Sequence, residues 1–419
     1  MRDFLRRHSH TNWALADQAL VSGVTFLTGI LLARQLGIAE FGRFSLAWMA
    51  VLFVQGIQNS AISAPMMSIG PKQESHQHAI YYGGVFFGQL VFGCTSTVVA
   101  WAIVCLGGMV FTDWNIATIA TPLAATVLLC QTQDFLRRYF FTIQRPAVSF
   151  VVDGIRYVGQ LGILVWVFFV SRRTIDLNAT LWIIAGAAGA GAGVALTCVP
   201  GLEWSPPLVR KAAFRNWRFS KWLVGSAVVQ WLGGNLFVVT AGALLGVAAV
   251  GALKAAQSLI GVTHILFQGL ENVVPVRAAQ RYHRGGAADL VNYLARVTRL
   301  GMGATAIIAC CFALDPALWF RLVLGKEFAE YSYLLRWYAA LYVLMFLTLP
   351  MRFGLRAIEK TAPVFVAYLV AAVFSVAATY PLVKEWGLTG VLLGLFANQF
   401  LLLGVMFVPL SKALSGGRT

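Results

Sequence analysis

Residues 31–44, Leu-Leu-Ala-Arg-Gln-Leu-Gly-Ile-Ala-Glu-Phe-Gly-Arg-Phe, end one long apolar run and begin another. A second stretch, residues 241–253, repeats their pattern at one constant offset. Leu, Gly and Ala coincide easily in an apolar sequence, but here several pairs keep one register without gaps. The identical pairs are Leu36/Leu245, Gly37/Gly246, Ala39/Ala248 and Gly42/Gly251, together with Trp13/Trp222. The pattern predicts two tandem halves, each opening with a helix, a tight glycine turn and a second helix.

The composition is that of an integral membrane protein. Hydrophobic residues make up 59% of the chain and charged residues only 11%, which would leave a soluble domain with more exposed apolar surface than water tolerates. The basic residues that give the chain its net charge of +16 lie in short segments between apolar runs. The positive-inside rule explains basic residues at such positions. We therefore expect no nucleic-acid partner. The six cysteines lie within apolar runs and indicate neither a disulfide framework nor a metal site.

Apolar runs of about 20 residues are long enough to cross a bilayer as helices. The sequence contains twelve, near 13–34, 44–65, 82–110, 115–134, 147–170, 178–199, 222–247, 251–275, 290–314, 331–350, 362–383 and 387–410. This pattern predicts an all-α polytopic membrane protein with twelve transmembrane helices in two six-helix bundles. We assign the bundles to residues 1–200 and 222–419, joined by a basic amphipathic linker at 201–221.

The distribution of charge predicts the orientation. If the N-terminus is cytoplasmic, most of the 32 Lys and Arg residues lie in the segments on that side. The positive-inside rule then places both termini and the linker in the cytoplasm. We interpret the first apolar run as a retained span, because it is too long for the core of a signal peptide.

Polar side chains form stripes on two spans. Span two carries Gln55, Gln58 and Asn59, and span eight carries His264, Gln268, Glu271 and Asn272. At the repeat offset, Gln55 corresponds to His264 and Asn59 to Gln268. Since polar groups in hydrocarbon are costly, we expect the two stripes to line one water-filled cavity. Hydrogen bonds between packed helices are the alternative.

Charged and amide side chains also lie within other spans. Asp153 and Arg156 are three residues apart on span five, close enough to form an ion pair that is either functional or structural. Asp17 lies in the first turns of span one, where a position at the headgroup level is equally compatible with the sequence. Asn235 lies deeper, in span seven.

Three further cations flank the glycine turns on the outer side. For Arg34, Arg43 and Lys254, the sequence favours side chains that extend to the membrane interface over side chains that bind a ligand.

Several motifs are absent from the sequence. It contains no Walker A loop, no His-Glu-x-x-His and no Gly-x-Ser-x-Gly, and no hydrophilic segment long enough for an extramembrane catalytic domain. We therefore expect a transporter without its own ATPase, rather than an enzyme, and no cofactor.

Two stretches resemble a known family. Residues 34–44 and the basic segment 137–146, Arg-Arg-Tyr-Phe-Phe-Thr-Ile-Gln-Arg-Pro, are similar to loop signatures of bacterial polysaccharide transporters. These are the Wzx-type lipid-linked oligosaccharide flippases of the multidrug/oligosaccharidyl-lipid/polysaccharide (MOP) exporter superfamily. The resemblance implies two six-helix bundles forming a V around a central cavity, in the bacterial inner membrane. It also implies alternating access that moves an undecaprenyl-pyrophosphate-linked glycan to the periplasmic leaflet.

The chemistry of such a substrate selects the candidate residues. A pyrophosphate-linked glycan needs cations together with amide and imidazole hydrogen-bonding groups. The substrate-binding candidates are Arg156, Gln55, Asn59, His264, Gln268 and Asn235, with Arg34, Arg43 and Lys254 as further cations. The ion-coupling candidates are Asp17, Asp153 and Glu271.

The expected partners are the lipid-linked glycan, membrane lipids, and a polymerase and glycosyltransferases of the same pathway, with the protein itself a monomer. Two alternatives stay open. A multidrug exporter of the same superfamily would need an acidic cavity for organic cations. A membrane-embedded glycan polymerase or acyltransferase would alter the covalent structure of its glycan.

Overall fold

Helices are the only regular secondary structure among the residues that the structure describes, which confirms the predicted all-α class. A computed structural model describes residues 2–74, 77–110, 116–172, 174–203 and 206–415. The α-helices are α1 Arg2–Gln58, α2 Ala64–Ile69, α3 His78–Val110, α4 Ala120–Thr142, α5 Pro146–Asp153, α6 Gly159–Val165, α7 Leu177–Thr197, α8 Pro206–Leu245, α9 Val247–Ile260, α10 Thr263–Leu314, α11 Pro316–Trp319, α12 Tyr333–Ala357 and α13 Ala362–Ser415. Shorter 3-10 and π-helical turns connect several of them.

Eight helices among the described residues are long and apolar enough to cross a membrane. Three of them contain a glycine with positive φ: Gly37 in α1 (76°), Gly286 in α10 (63°) and Gly387 in α13 (55°). Only glycine adopts this backbone region freely, so each of these helices consists of two arms. When the two arms of each kinked helix are taken separately, the described helices follow the order of the predicted apolar runs. This order is expected for a multi-pass membrane protein.

Two compact units make up the chain. One contains Met1–Thr28 and Ala47–Val228, and the other contains Gly29–Leu46 and Val229–Thr419. The second unit thus includes the first glycine turn as well as its repeat. The linker residues from Pro206 onward are the first turns of α8, which continues without a break into span seven.

The two glycine turns pack against each other within the second unit. A Cβ atom added to Gly42 would overlap the carbonyl oxygen of Val247, and one added to Gly251 would overlap that of Ile38. Gly42 and Gly251 are repeat equivalents, and so are Ile38 and Val247. The contact is therefore reciprocal, as expected for two copies of one motif related by local two-fold symmetry.

A second repeated feature lies at the ends of α4 and α12. Gln144 and Glu359 both have positive φ, 60° and 59°, which is uncommon for residues with a side chain. In each case the amide of the next residue, Arg145 or Lys360, donates a hydrogen bond back to the end of the helix. Helices α4 and α12 therefore end with the same backbone geometry.

Candidate functional site

The second unit contains a cavity of about 430 Å³ that is lined by both polar and apolar side chains. Helices α8, α9, α10, α12 and α13 contribute to its wall. Its polar lining residues are Gln230, Lys254, Gln257, His264, Gln268, Glu271, Tyr338, Tyr342, Thr348, Arg352, Tyr368, Asn398 and Gln399. Four of the predicted site residues, Lys254, His264, Gln268 and Glu271, are thus brought together in one cavity.

Arg352 is the first of two cations that line this cavity. Its Nη2 lies 2.9 Å from Oε1 of Glu271, and its Nη1 donates to the hydroxyl of Tyr368 at 3.4 Å. The predicted span ten, near 331–350, ends before Arg352, but α12 continues to Ala357. The side chain of Arg352 therefore extends from within a helix, and Glu271 is its ion-pair partner.

Lys254 is the second cation. Its Nζ donates to Oε1 of Gln257 at 2.9 Å, one turn further along α9. The sequence favoured extension of Lys254 to the membrane interface, and the structure corrects that interpretation. Lys254 and Gln257 are three residues apart, on the helix face that borders the cavity.

An imidazole and a phenol form another part of the wall. Nε2 of His264 lies 3.1 Å from the hydroxyl oxygen of Tyr342, and the two rings meet edge to face with centroids 5.3 Å apart. Tyr342 is itself buried. This contact fixes the imidazole and places its polar edge at the cavity.

Some polar atoms of the cavity residues have no protein partner in the described part of the chain. They are Nε of Arg352, Oδ1 of Asn398 and Nε2 of Gln399. The amide nitrogen of Asn398 donates to the carbonyl of Gly233 and to Oγ of Ser375, which leaves its oxygen without a partner. Buried polar groups are normally hydrogen-bonded, and each of these three atoms is enclosed by protein.

The charges of the cavity are unequal. Lys254 and Arg352 supply two cations, whereas Glu271 is the carboxylate among the lining residues. Together with the amide, imidazole and phenol groups, this lining is suited to a ligand that combines negative charge with hydroxyl groups.

The first unit holds a buried ion cluster. Nη2 of Arg137 lies 2.5 Å from Oδ2 of Asp17, and its Nε lies 2.6 Å from Oδ2 of Asp153. Both carboxylates are fully buried. Asp17 is therefore inside the unit and not at the headgroup level, and Arg137, assigned to a loop from the sequence, lies within α4.

Gln133 connects this cluster to Arg156. Its amide nitrogen donates to Oδ1 of Asp153 at 2.5 Å, and its amide oxygen accepts a hydrogen bond from Nη1 of Arg156. The predicted ion pair between Asp153 and Arg156 is therefore replaced by a pair between Asp153 and Arg137. The turn Gly154–Val158 is π-helical, and its wider winding changes the direction expected from a spacing of three residues.

Arg156 is enclosed within the first unit. Its exposure is 2%, its guanidinium lies 4.7 Å from the ring centroid of Tyr157, and its Nε lacks a partner among the described residues. A Cβ on Gly191 of α7 would lie 3.5 Å from Cβ of Arg156. Helix α7 thus packs closely against this arginine.

The remaining predicted residues lie elsewhere. Gln55 and Asn59 are half-buried in the first unit, and Gln58 turns inward to bind Gln89 at 3.1 Å. Asn235 donates to the carbonyl of Trp231 in its own helix and is absent from the cavity wall.

The two cations that flank the first glycine turn have protein partners. Arg34 donates to the carbonyl of Leu322 at 3.4 Å, and Arg43 forms an ion pair with Glu40 at 2.8 Å. Neither lines the cavity of the second unit.

Sequence reasoning missed several cavity residues. Asn398 and Gln399 carried the same signal as the predicted stripes, since they are amides within an apolar run. Gln257 follows Lys254 by one helical turn. Tyr342 and Tyr368 carried no signal, because tyrosine is common in both packed and membrane-interface positions.

The fold is that of MOP-superfamily transporters. The MatE family model matches residues 223–380, a region that includes most of the cavity. A lipid II flippase, MurJ, in an inward closed conformation is similar with a TM-score of 0.73 and 10% identity, over 96% of this chain and 89% of that one. An inward-facing multidrug resistance MATE transporter is similar with a TM-score of 0.70 and 12% identity, over 97% and 95%.

A third structure is a MOP-superfamily transporter from Pyrococcus furiosus, described as having a binding pocket of reverse polarity. Its TM-score is 0.59 and its identity 12%, over 99% of this chain and 94% of that one. No curated protein matches the chain. The structures that share the fold are transporters rather than enzymes, in agreement with the expectation from the sequence.

Proposed function

We propose that this protein flips an undecaprenyl-pyrophosphate-linked oligosaccharide from the cytoplasmic to the periplasmic leaflet of the bacterial inner membrane. In this proposal both termini are cytoplasmic, and transport proceeds by alternating access for surface or exopolysaccharide synthesis. A polymerase and glycosyltransferases of the same pathway supply and consume the glycan.

The cavity of the second unit carries the proposal. Lys254 and Arg352 outnumber Glu271 there, and the wall includes the amides of Asn398 and Gln399, groups of the kind that pair with sugar hydroxyls. In this proposal the guanidinium of Arg352 exchanges part of its contact with Glu271 for the pyrophosphate. The polyprenyl chain remains in the lipid.

A multidrug exporter has the same fold and is the second candidate. Its organic cations would require a cavity in which carboxylates outnumber cations. The lining of this cavity has the opposite balance, which favours the anionic substrate.

We assign ion coupling to the buried cluster of the first unit. Asp17 and Asp153 share Arg137, so two carboxylates face one cation directly. If the two carboxylates took up one proton, one carboxylate would remain to balance the charge of Arg137. The three groups would then carry no net charge, at a low cost in free energy. Glu271 is the third coupling candidate, through its pair with Arg352.

Reconstituted vesicles test the proposal. We expect the protein to move a fluorescent undecaprenyl-pyrophosphate oligosaccharide between leaflets, without any change in the mass of the glycan. Transport of ethidium but not of the lipid-linked glycan would establish the multidrug alternative. A change in glycan mass would establish an enzyme.

A further inference from the structure

A second cavity of the second unit shares no lining residue with the cavity described above. It is a groove of about 730 Å³ between the two arms of α10, residues 263–285 and 287–314. The kink at Gly286 folds the arms back on each other, and Arg281 reaches Asp289 across the bend at 3.4 Å. The groove is therefore formed by one continuous segment of chain.

The wall of the groove is strongly basic. The arginines that line it are Arg277, Arg281, Arg284 and Arg296, and all are exposed. Asp289 is the acid among the lining residues and pairs with Arg281. Three guanidinium groups thus face the groove without a carboxylate partner in its wall, and guanidinium is the side-chain group best suited to phosphate.

The opposite end of the groove is apolar. Leu270 and Val273 on the first arm face Val297 and Leu300 on the second. The lining residues recur every three to four positions on each arm, so each arm presents one face to the groove. Polarity therefore changes along the groove, from arginines near the bend to aliphatic side chains further along both arms.

We propose that this groove is a binding site for an anionic phospholipid. The arginines hold the phosphodiester headgroup, and the aliphatic end receives the first part of the acyl chains. A free phosphate would use only the basic end, whereas a lipid uses both ends. The site lies outside the transport cavity, and the inference does not depend on which substrate is moved.

Native mass spectrometry of the full-length protein in detergent tests this inference. The probes are phosphatidylglycerol, phosphatidylcholine with the same acyl chains, and inorganic phosphate. The groove variant is Arg277→Gln/Arg284→Gln/Arg296→Gln. The matched control, Arg210→Gln/Arg218→Gln/Arg299→Gln, removes three exposed arginines that do not line the groove.

The wild-type protein and the control should retain phosphatidylglycerol, and the groove variant should bind it about a hundredfold more weakly, since each of the three arginines adds to the attraction of anionic lipid. Excess inorganic phosphate should not displace the lipid. Equal binding by the two variants, or equal retention of phosphatidylcholine, would overturn the proposal. Displacement by phosphate would mean a site for free anions. The exposed positions of the three arginines keep the fold intact, which the melting temperature without lipid verifies.

Discussion

Gly42 and Gly251 meet backbone to backbone, and each lies where a side chain would strike the other copy of the same turn. A Cβ on Gly42 would lie 2.9 Å from the amide nitrogen of Gly251, and one on Gly251 would lie 3.2 Å from that of Gly42. The contact is reciprocal, so both positions of the sequence repeat require a residue without a side chain. The two glycines recur because each allows the close approach of the other.

Substitution of either glycine should therefore destabilise the protein. Gly42→Ala and Gly251→Ala would force backbone displacement, which typically costs about 1–3 kcal/mol. The control is Gly269→Ala, at an exposed helical position with no atom within 4 Å of the added Cβ. Thermal unfolding followed by size-exclusion chromatography in detergent should show lower melting temperatures for the first two variants alone. Unchanged melting temperatures for them would contradict the contact.

Arg137→Gln should lower the stability of the protein more than Arg138→Gln does. Arg137→Gln leaves Asp17 and Asp153 buried together, and removing one partner of a buried ion pair costs about 3–5 kcal/mol. Arg138→Gln breaks a partly exposed pair with Asp134, in which the Arg138 side chain is 30% exposed, and such pairs contribute little. Thermal unfolding measures both variants.

Neutralising the three paired groups together separates charge from packing. Asp17→Asn/Arg137→Gln/Asp153→Asn should recover part of the stability that Arg137→Gln loses, because neither carboxylate is left buried without its cation, while Arg156 keeps its hydrogen bond to Gln133. If the triple variant is no more stable than the single one, the shape of Arg137 matters and its charge does not. If the triple variant is stable but no longer couples transport to an ion, the result would support the proposed ion-coupling role of this cluster.

The sequence predicted the helices well but placed two arginines wrongly, in both halves for the same reason. Hydropathy falls at the first arginine of a basic segment. The predicted spans four and ten, near 115–134 and 331–350, therefore end before Arg137 and Arg352. The backbone ends these helices later, next to Gln144 and Glu359. The turn at each of these residues depends on local backbone geometry, which the polarity of the sequence does not predict.

The partners of the buried charges were harder to predict. Asp153 and Arg156 are close in sequence, so spacing alone favoured a pair between them. Gln133 and Arg137 approach from α4 and take those contacts instead. Contacts between distant helices depend on how the helices pack, whereas periodicity describes only one helix at a time.

Reporter fusions test the predicted topology. Fusions at Thr419 and within residues 201–221 should report cytoplasm, and fusions near Asp113 and Glu385 should report periplasm. Asp113 and Thr419 lie outside the described residues. A periplasmic signal from the segment 201–221 would contradict both the topology and the two-half arrangement.

Cysteine accessibility tests whether the polar stripes of the two halves line one water-filled cavity. In a background without the six native cysteines, cysteines at Gln55, Asn59, His264 and Gln268 should react with small water-soluble thiol reagents. A cysteine at Leu259, which is 1% exposed, should react poorly. Protection of Gln55 and Asn59 with reaction at His264 would confine the wet cavity to the second unit.

Arg352 should be required for transport but dispensable for folding. Arg352→Gln removes charge-assisted contacts worth about 1.5–3 kcal/mol, so the flipping rate should fall about tenfold or more. Glu271 would remain partly solvated, with 42% of its side chain exposed, so the melting temperature should change little. Arg352→Lys should retain part of the activity, because the charge survives and the bidentate geometry does not.

Arg356→Gln is the matched control for Arg352→Gln. It removes the same charge one turn further along α12, at an exposed position outside the cavity wall, and should flip the glycan at the wild-type rate. Equal losses in the two variants would mean that net charge at this end of α12 matters and the cavity contact does not. Faster export of an organic cation by Arg352→Gln, with no change in glycan flipping, would favour the multidrug function, because the same cation that attracts pyrophosphate repels a cationic drug.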